Sequence, residues 1–552
     1  MTRKSQIHGF STFTGDQRKK EEPIMFIKRN EHCRNLRDVV ETNTGMPAGQ
    51  FIQRSQEPYI KNLKEAVQTV RTSSAEVTVV GDYDADGICA SLVMAYGLYM
   101  AGIPFRVRLP HRFSEGYGLS EKIIDEIVHG TVLTVDNGIA AHAAVKKAKE
   151  KGLTVVVTDH HLPARNADGR VILPEADVVV DPSAEGKSEW HDYCGAAVAY
   201  RFVQELLGAE VPELKVLASI ATVADIMPLH GPNRDLVIDG LELLNAGHAV
   251  PGLKRLVEML GLSHINEEDY GFGIGPVLNA SGRLYDDGAE TVLKTLMLSS
   301  HSPALEERIQ TLLENNQERK ALTEAAVKAA EEAYGGERPI VIFNPDFGEG
   351  IIGLVAGKFC EKYQCPVICF TRSHSGMLKG SGRSIPGIHL KEALDRIQNL
   401  IAGYGGHEGA AGLSIMEKDL GRFREAFARS CGKIPDYMDD VVYDLEITPQ
   451  QLGDTGKEQN QYAPYGCGNP KPVYRVKLPV QPKGLRITKD GKHLTYWEPG
   501  FKFIGFGMAD KFRELVKENG YPENLDCIGQ ITEDWYKGNV SYQLQLIDFT
   551  FC

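Results

Sequence analysis

The sequence lacks any apolar run of the roughly 18 residues needed to span a bilayer, and its first stretch, MTRKSQIHGFSTFTGDQRKKEE, has no apolar core of the signal-peptide kind. Neither secretion nor membrane insertion is expected, and the compartment expected is the cytoplasm. A positive excess is also missing. Lys and Arg number 61 against 74 Asp and Glu, a net charge of −13, which excludes a protein that coats nucleic acid by bulk charge and leaves only local basic tracks. The ten cysteines are scattered from Cys33 to Cys552, unlike the dense framework of a small secreted disulfide domain, so reduced thiols are expected. The closest group, Cys360, Cys365 and Cys369, follows no usual zinc-ligand spacing. There is no low-complexity tract and no internal repeat.

What is present is an ordinary globular composition, 42% hydrophobic and 24% charged over 552 residues, long enough for about three or four domains. Residues 1–75 are polar and weakly patterned, a poorly defined N-terminal segment. From Glu76 the Val-rich bursts EVTVVGDYD, GTVLTVDNG, LTVVVTDHH and ADVVVDPS alternate with helical stretches such as ICASLVMAYGLYMAG. Short β-branched runs of this kind are buried on both faces of a parallel sheet, and strand–helix repetition predicts a doubly wound α/β domain. That domain is placed at 76–302, mostly helical after 212. Residues 303–334 contain strong helix formers and are followed by Gly335-Gly336, which predicts a connecting helix at 303–335, about 45 Å long. A second, smaller α/β domain is expected at 336–435, and short strands and turns at 436–552 predict a small antiparallel β-barrel.

In an open α/β sheet the reactive crevice lies beyond the carboxyl ends of the strands, and acids and imidazoles follow nearly every strand here. GDYDADG places Asp82, Asp84 and Asp86 in one tight turn; TVDNG supplies Asp136, TVVVTDHH supplies Asp159, His160 and His161, and ASIATVADIMPL supplies Asp225. Any one of these acids serves equally well as a helix cap. Together they repel one another unless a cation compensates. Asp and His without Cys suit Mn²⁺ or Mg²⁺, and a bridging carboxylate would allow two ions, which is a phosphoryl-transfer arrangement.

At these residues the sequence resembles the DHH phosphoesterase superfamily, and within it the single-stranded-DNA exonuclease branch. GDYDADG, TVDNG, TDHH and ADIMPL are similar to its four acidic motifs, and LPHRFSEGYGLS (109–120), GPVLNASGR (275–283), GSGRSIPG (380–387) and GGHEGAAG (405–412) to further segments. PYGCGNPKPVY is similar to the segment that introduces the branch's OB-fold. The likeness covers about 76–552; ICAS stands where Thr-Ser is more usual, without loss of a ligand. It implies a DHH domain, a DHHA1-like domain and an OB-type barrel. It implies Asp82, Asp84, Asp136, His160 and Asp225 as ligands of two divalent cations, Mn²⁺ or Mg²⁺, with Asp86 an additional ligand or a support and Asp136 the bridge.

His161 is adjacent to a ligand, and in an extended segment neighbouring side chains point to opposite sides, so it is expected to meet the scissile phosphate or leaving group rather than the same ion, with direct metal coordination as the alternative; Asp159 is expected to orient an imidazole. Arg283, with Asn279 nearby, would neutralise phosphate charge; a structural ion pair is the alternative for Arg283. Ser381, Arg383 and His407 would cradle a terminal phosphate, and Arg112 and Tyr117 would contact DNA. The expected activity is 5′-to-3′ hydrolysis of single-stranded DNA in recombination and repair, by a monomer, with single-stranded-DNA-binding protein and a RecQ-type helicase as implied partners.

The segment 471–520 carries 11 Lys and Arg against 5 acids, with Tyr474, Tyr496, Trp497, Phe501 and Phe503 interleaved. Basic and aromatic residues on an OB-like barrel can track single strands, although each aromatic is equally a candidate for the core. Two other readings remain: a small-substrate phosphodiesterase, and a non-catalytic scaffold.

Overall fold

A computed structural model describes residues 26–552 apart from 74, 167, 185, 187, 374–375, 436–440, 482 and 537. The polar run up to residue 25 lies outside the described residues. Five strands, β1 (Val77–Val80), β2 (Phe105–Arg108), β3 (Thr131–Val135), β4 (Thr154–Thr158) and β5 (Val178–Val180), form one parallel sheet in the order β2-β1-β3-β4-β5. β1 and β3 are buried along their whole length, which is why their sequences are continuous Val and Thr rather than alternating. The strand order reverses between β1 and β3, so the crevice of the sheet opens where these two strands end.

Helix α1 (Ala85–Met100) starts directly after β1 because Asp84 caps it, its side chain accepting from the N–H groups of Asp86 and Gly87. It is buried nearly throughout, packed between α2 (Gly195–Leu207) and α3 (Pro212–Ala224). Each fully buried Leu or Ile on it, such as Ile88 and Leu92, stabilises by about 1.5–3 kcal/mol. Gly97 permits the closest approach, since a Cβ there would lie 2.3 Å from Val203 Cγ2. The helical region includes α4 (Gly275–Leu284), entered through a π-helical turn at Asp269–Ile274.

Helix α5 (Leu305–Glu332) bridges two domains as expected. Leu305, Ile309 and Leu312 enter the core of the first domain, whereas Ala326, Val327 and Ala330 enter that of the second. There β6 (Ile340–Phe343), β7 (Val367–Arg372), β8 (Leu378–Arg383), β9 (Gly403–Gly406) and β10 (Ala410–Ile415) form a sheet in the order β9-β10-β8-β7-β6. Only β6 and β7 run parallel. Cys360, Cys365 and Cys369 are buried packing residues of this domain.

The C-terminal strands form one seven-stranded sheet, running from Leu445–Glu446 through the long strands Asn524–Tyr536 and Asn539–Phe551 to Leu485–Ile487. Its first and last strands are not paired with each other, so the barrel is open, and two of its pairings are parallel rather than antiparallel. Tyr474, Tyr496, Phe501 and Phe503 are at most 3% exposed and fill its core, which removes them as stacking surfaces; Trp497 is 65% exposed.

Residues 26–71, where the sequence shows little pattern, carry a strand and three helices. Leu36, Val39 and Val40 pack into the C-terminal domain, and Leu63, Ala66, Val67 and Val70 into the first. Both sets follow helical i, i+3, i+4 spacing, a narrow stripe that the polar composition around it conceals. No helix among the described residues is long and apolar enough to cross a membrane.

Candidate metal centre and phosphate cleft

The end of β1 delivers Asp82, 1% exposed, whose Oδ1 has no hydrogen-bond partner among the described residues. Asp84 holds its Oδ1 against the N–H groups of Asp86 and Gly87 at 3.0 and 3.1 Å. Asp86 points across the crevice, where its two oxygens accept from the N–H groups of Gly195 and Ala196 at 2.7 and 2.8 Å, at the positive end of α2. The end of β3 delivers Asp136 in the left-handed region, φ 62°, an uncommon and costly conformation for a residue other than glycine. It is held there by the Tyr117 hydroxyl, which donates to its carbonyl at 3.0 Å. Gly195 leaves the space its side chain needs, because a Cβ at 195 would lie 2.3 Å from Asp136 Cβ.

β4 delivers the histidine pair. His160 Nε2 lies 3.1 Å from Asp136 Oδ1, 3.6 Å from Asp86 and 3.7 Å from Asp225. His161 Nδ1 is 2.8 Å from Asp159 Oδ1, which also accepts from the His160 N–H, while Asp159 Oδ2 accepts from the Ile139 N–H at 2.9 Å. The two rings lie side by side with centroids 4.3 Å apart, not on opposite sides. The strand stops at Thr158, so the alternation of an extended chain does not reach them. Asp225 ends α3, followed by Ile226 at φ 58°.

Ligand atoms of three overlapping groups lie within 4.8 Å of one another: Asp82, Asp84 and Asp136; Asp86, His160 and Asp225; and Asp136, His160 and His161. Burial, then the neighbouring carboxylates, push Asp82, Asp136 and Asp225 well above the usual carboxylate range. Burial lowers His160, favouring the neutral imidazole that ligates metals. His161 moves the other way: burial opposes its charge, but the bond to Asp159 carries it up to about 9. Asp159 is lowered despite its burial, because His161 bonds to it. Buried carboxylate oxygens lacking donors, beside a neutral imidazole, fit a hard to borderline divalent cation.

Facing this crevice is a cleft of cations. Arg283 on α4 donates to the Gly350 carbonyl at 3.2 Å and forms no ion pair among the described residues. Burial and the charges of Arg112, Arg319 and Arg383 push it down to about 9, against the pull of Asp84. Arg112 lies over the Tyr83 ring, 4.4 Å from its centroid. Arg383, on β8, donates to Ser381 Oγ at 3.3 Å, and a Cβ at Gly353 would crowd both. His407 is exposed at the rim of the cleft, and partial desolvation, then the charge of Arg383, lowers it. Asn279 turns inward, its Oδ1 accepting from the Ala85 N–H at 2.9 Å, so it braces the first acidic turn.

Three family models match the chain: DHH family, N-terminal domain, over 76–227; DHHA1 domain over 337–433; and RecJ OB domain over 443–548. The single-stranded-DNA-specific exonuclease RecJ of Salmonella typhimurium is 30% identical over 537 residues, covering 89% of this chain and 90% of that protein. The chain belongs to the RecJ family. RecJ of Dickeya dadantii is 32% identical over 453 residues, 75% of this chain and 77% of its own. The crystal structure of RecJ from Thermus thermophilus in complex with Mn²⁺ matches with a TM-score of 0.77 at 27% identity, covering 93% of this chain and 75% of that one.

Two further residues of this RecJ-family site escape sequence reasoning. Asn137, fully buried, ties three segments: its amide donates to the carbonyls of Val80 and Val135 at 3.0 and 2.9 Å and accepts from the Leu119 N–H at 3.0 Å. It lies inside TVDNG, where the adjacent acid draws attention away from it. Arg319 lies on α5, in a charged run that reads as a solvated surface.

Proposed function

We propose that the chain is a single-stranded-DNA-specific exonuclease that hydrolyses phosphodiester bonds from the 5′ end by a two-metal mechanism, in DNA recombination and repair. The observation that carries this reading is the set of overlapping ligand groups around Asp136, with buried carboxylate oxygens that no protein donor among the described residues satisfies. Asp82, Asp84 and Asp136 would hold one Mn²⁺ or Mg²⁺ and Asp136, His160 and Asp225 the other; bound there, the ions acidify water and offset charge developing on the phosphate. Asp86, whose oxygens accept from two backbone N–H groups, faces the same Nε2 of His160 at 3.6 Å and would serve the second ion as an additional ligand or a support.

The chain's own residues do the rest. His161 keeps Nδ1 on Asp159, which retains a proton on the ring at neutral pH for the leaving oxygen. Arg283 neutralises the phosphate in transit with a fork of donors. Ser381 and Arg383, with His407 beside them, receive the 5′-terminal phosphate, and Arg112 and Tyr117 border the strand. Polarity follows from that division of labour, since the end is held on the second domain and cleavage occurs on the first. The natural partners of such a monomeric cytoplasmic enzyme are single-stranded DNA, single-stranded-DNA-binding protein and a RecQ-type helicase.

The test is product length against time for 5′- and 3′-labelled single strands. Mononucleotide release from the 5′ end with Mn²⁺, stopped by EDTA and by Asp136→Ala, is expected. Full-length DNA that binds and persists would point to a scaffold, and cleavage of very short oligonucleotides only would point to a small-substrate phosphodiesterase.

A further inference from the structure

Elsewhere in the molecule buried or half-buried arginines either meet carboxylates or, like Arg234 and Arg338, give their donors to backbone carbonyls. Arg108 is clamped by Glu115 and Glu126, and Arg475 by Asp526. Four arginines of the cleft, Arg112, Arg283, Arg319 and Arg383, form no ion pair among the described residues, although they are close enough that the other three disfavour the charge on Arg283. A charge taken out of water costs free energy unless it is paired, so this grouping in an acidic protein calls for an absent anion.

Arg319 is the member that lies outside every motif. It is oriented without being neutralised: its Nε and Nη2 donate to Asn316 Oδ1 at 3.2 and 2.8 Å, and Asn316 is only 7% exposed. The same turn of α5 is fastened to α4. The Asn315 amide donates to Ser281 Oγ at 3.0 Å, and the Tyr285 hydroxyl donates to Glu318 Oε2 at 2.9 Å. Ser281 lies two residues before Arg283, so the two guanidinium groups are presented from helices locked to each other. Neutral amides that fix a guanidinium leave its remaining donors free for an oxyanion, and phosphate matches their planar fork.

We propose that Arg319, held by Asn316 on the connecting helix, binds a backbone phosphate of the single strand beside the phosphate held by Arg283. The inference rests on the reading of the chain as a single-stranded-DNA enzyme. It makes the connecting helix part of the substrate track as well as a spacer between the domains. Each phosphate neutralised on a single strand contributes about −0.7 to the slope of log K against log salt, and a structural residue contributes nothing to that slope.

The experiment measures binding of a 5′-phosphorylated oligothymidylate to the full chain in EDTA, over a range of salt, with thermal melting as the check on folding. Arg319→Gln is expected to make the slope less negative by about 0.7 and to weaken binding at low salt by about tenfold or more. Arg319→Lys should keep the slope and lose part of the affinity. Asn316→Ala, which retains the charge and frees the fork, should also keep the slope and weaken binding. An unchanged slope in Arg319→Gln beside a reduced slope in Arg283→Gln would overturn this inference and leave the proposed function standing. Where Arg319→Gln does not fold, wild-type affinity in both Arg319→Lys and Asn316→Ala would overturn it. A wild-type chain that shows no salt-dependent binding at all would overturn both.

Discussion

The crevice at the ends of β1 and β3 and the cleft between the two α/β domains are built in the same way with opposite signs. In the crevice, Asp82 and Asp136 are buried and Asp225 half-buried among other carboxylates, and all three are driven toward their neutral forms. In the cleft, Arg283 is half-buried among other guanidiniums and driven the same way. Both regions gather like charges that the protein's own groups leave largely uncompensated. The difference between them lies in what holds the charge in place. Backbone conformation and N–H groups set the acids, as with Asp136 at φ 62° and Asp86 on the start of α2, whereas neutral side-chain and carbonyl oxygens set the cations, as with Asn316 and Gly350. A metal site demands fixed geometry; a track for a flexible polyanion tolerates longer, softer supports.

The sharpest way to break the comparison is Asp136→Ala. It removes a carboxylate from two of the ligand groups, and several kcal/mol of charge stabilisation lost at about 1.4 kcal/mol per decade predicts a fall of about 10³-fold or more in the hydrolysis rate. Because the acid it removes is buried among like charges, the metal-free variant should melt no lower than the parent, which differential scanning calorimetry reads.

Gly195→Ala tests the support instead of the ligand. The added Cβ would sit 2.3 Å from Asp136 Cβ, so Mn²⁺ affinity measured by calorimetric titration should fall by about 10–100-fold, with overpacking costing about 1–3 kcal/mol of stability. On the cationic side, Arg383→Gln should weaken binding of a 5′-phosphorylated strand more than of a 5′-hydroxyl strand, by about tenfold in the ratio; equal losses on both strands would remove the end-binding role.

The smallest effect belongs to an acid at the edge of the crevice. Burial, then the charge of Asp159, raises Asp181 to about 7. A folded-state pKa above the unfolded one means stability that is present at low pH and lost as pH rises through about 7. Asp181→Asn retains the bonds that Oδ1 accepts from the Ser183 N–H and hydroxyl, both 2.8 Å, so it should raise the melting temperature at about pH 8 and leave it nearly unchanged at about pH 4.

Much of this was legible in the sequence for a physical reason. Val-rich runs followed by acids can only be parallel strands ending at a crevice, and the reversal of strand order between β1 and β3 brings Asp82 and Asp136 to its two sides. The bridging helix was legible because its charged surface left no single apolar face. The helices at 36–51 and 63–71 were obscured because each buries only a narrow stripe within a polar run. The aromatics of the C-terminal domain could not be divided between core and surface, since strand alternation is clear only once the pairing is known. The brace that Asn279 gives the first acidic turn and the orientation of Arg319 were not legible for a shared reason: each depends on a partner far off or one turn away, Ala85 for the first and Asn316 for the second, and motif spacing does not carry that information.

The central claim is that the acids of the crevice await metal. Calorimetric titration of the purified, metal-free chain with Mn²⁺, alongside Asp136→Ala, tests it most directly. The account predicts two ions per chain for the parent and loss of at least one in the variant. A parent that binds no ion, or a variant that binds two with unchanged affinity, would contradict it.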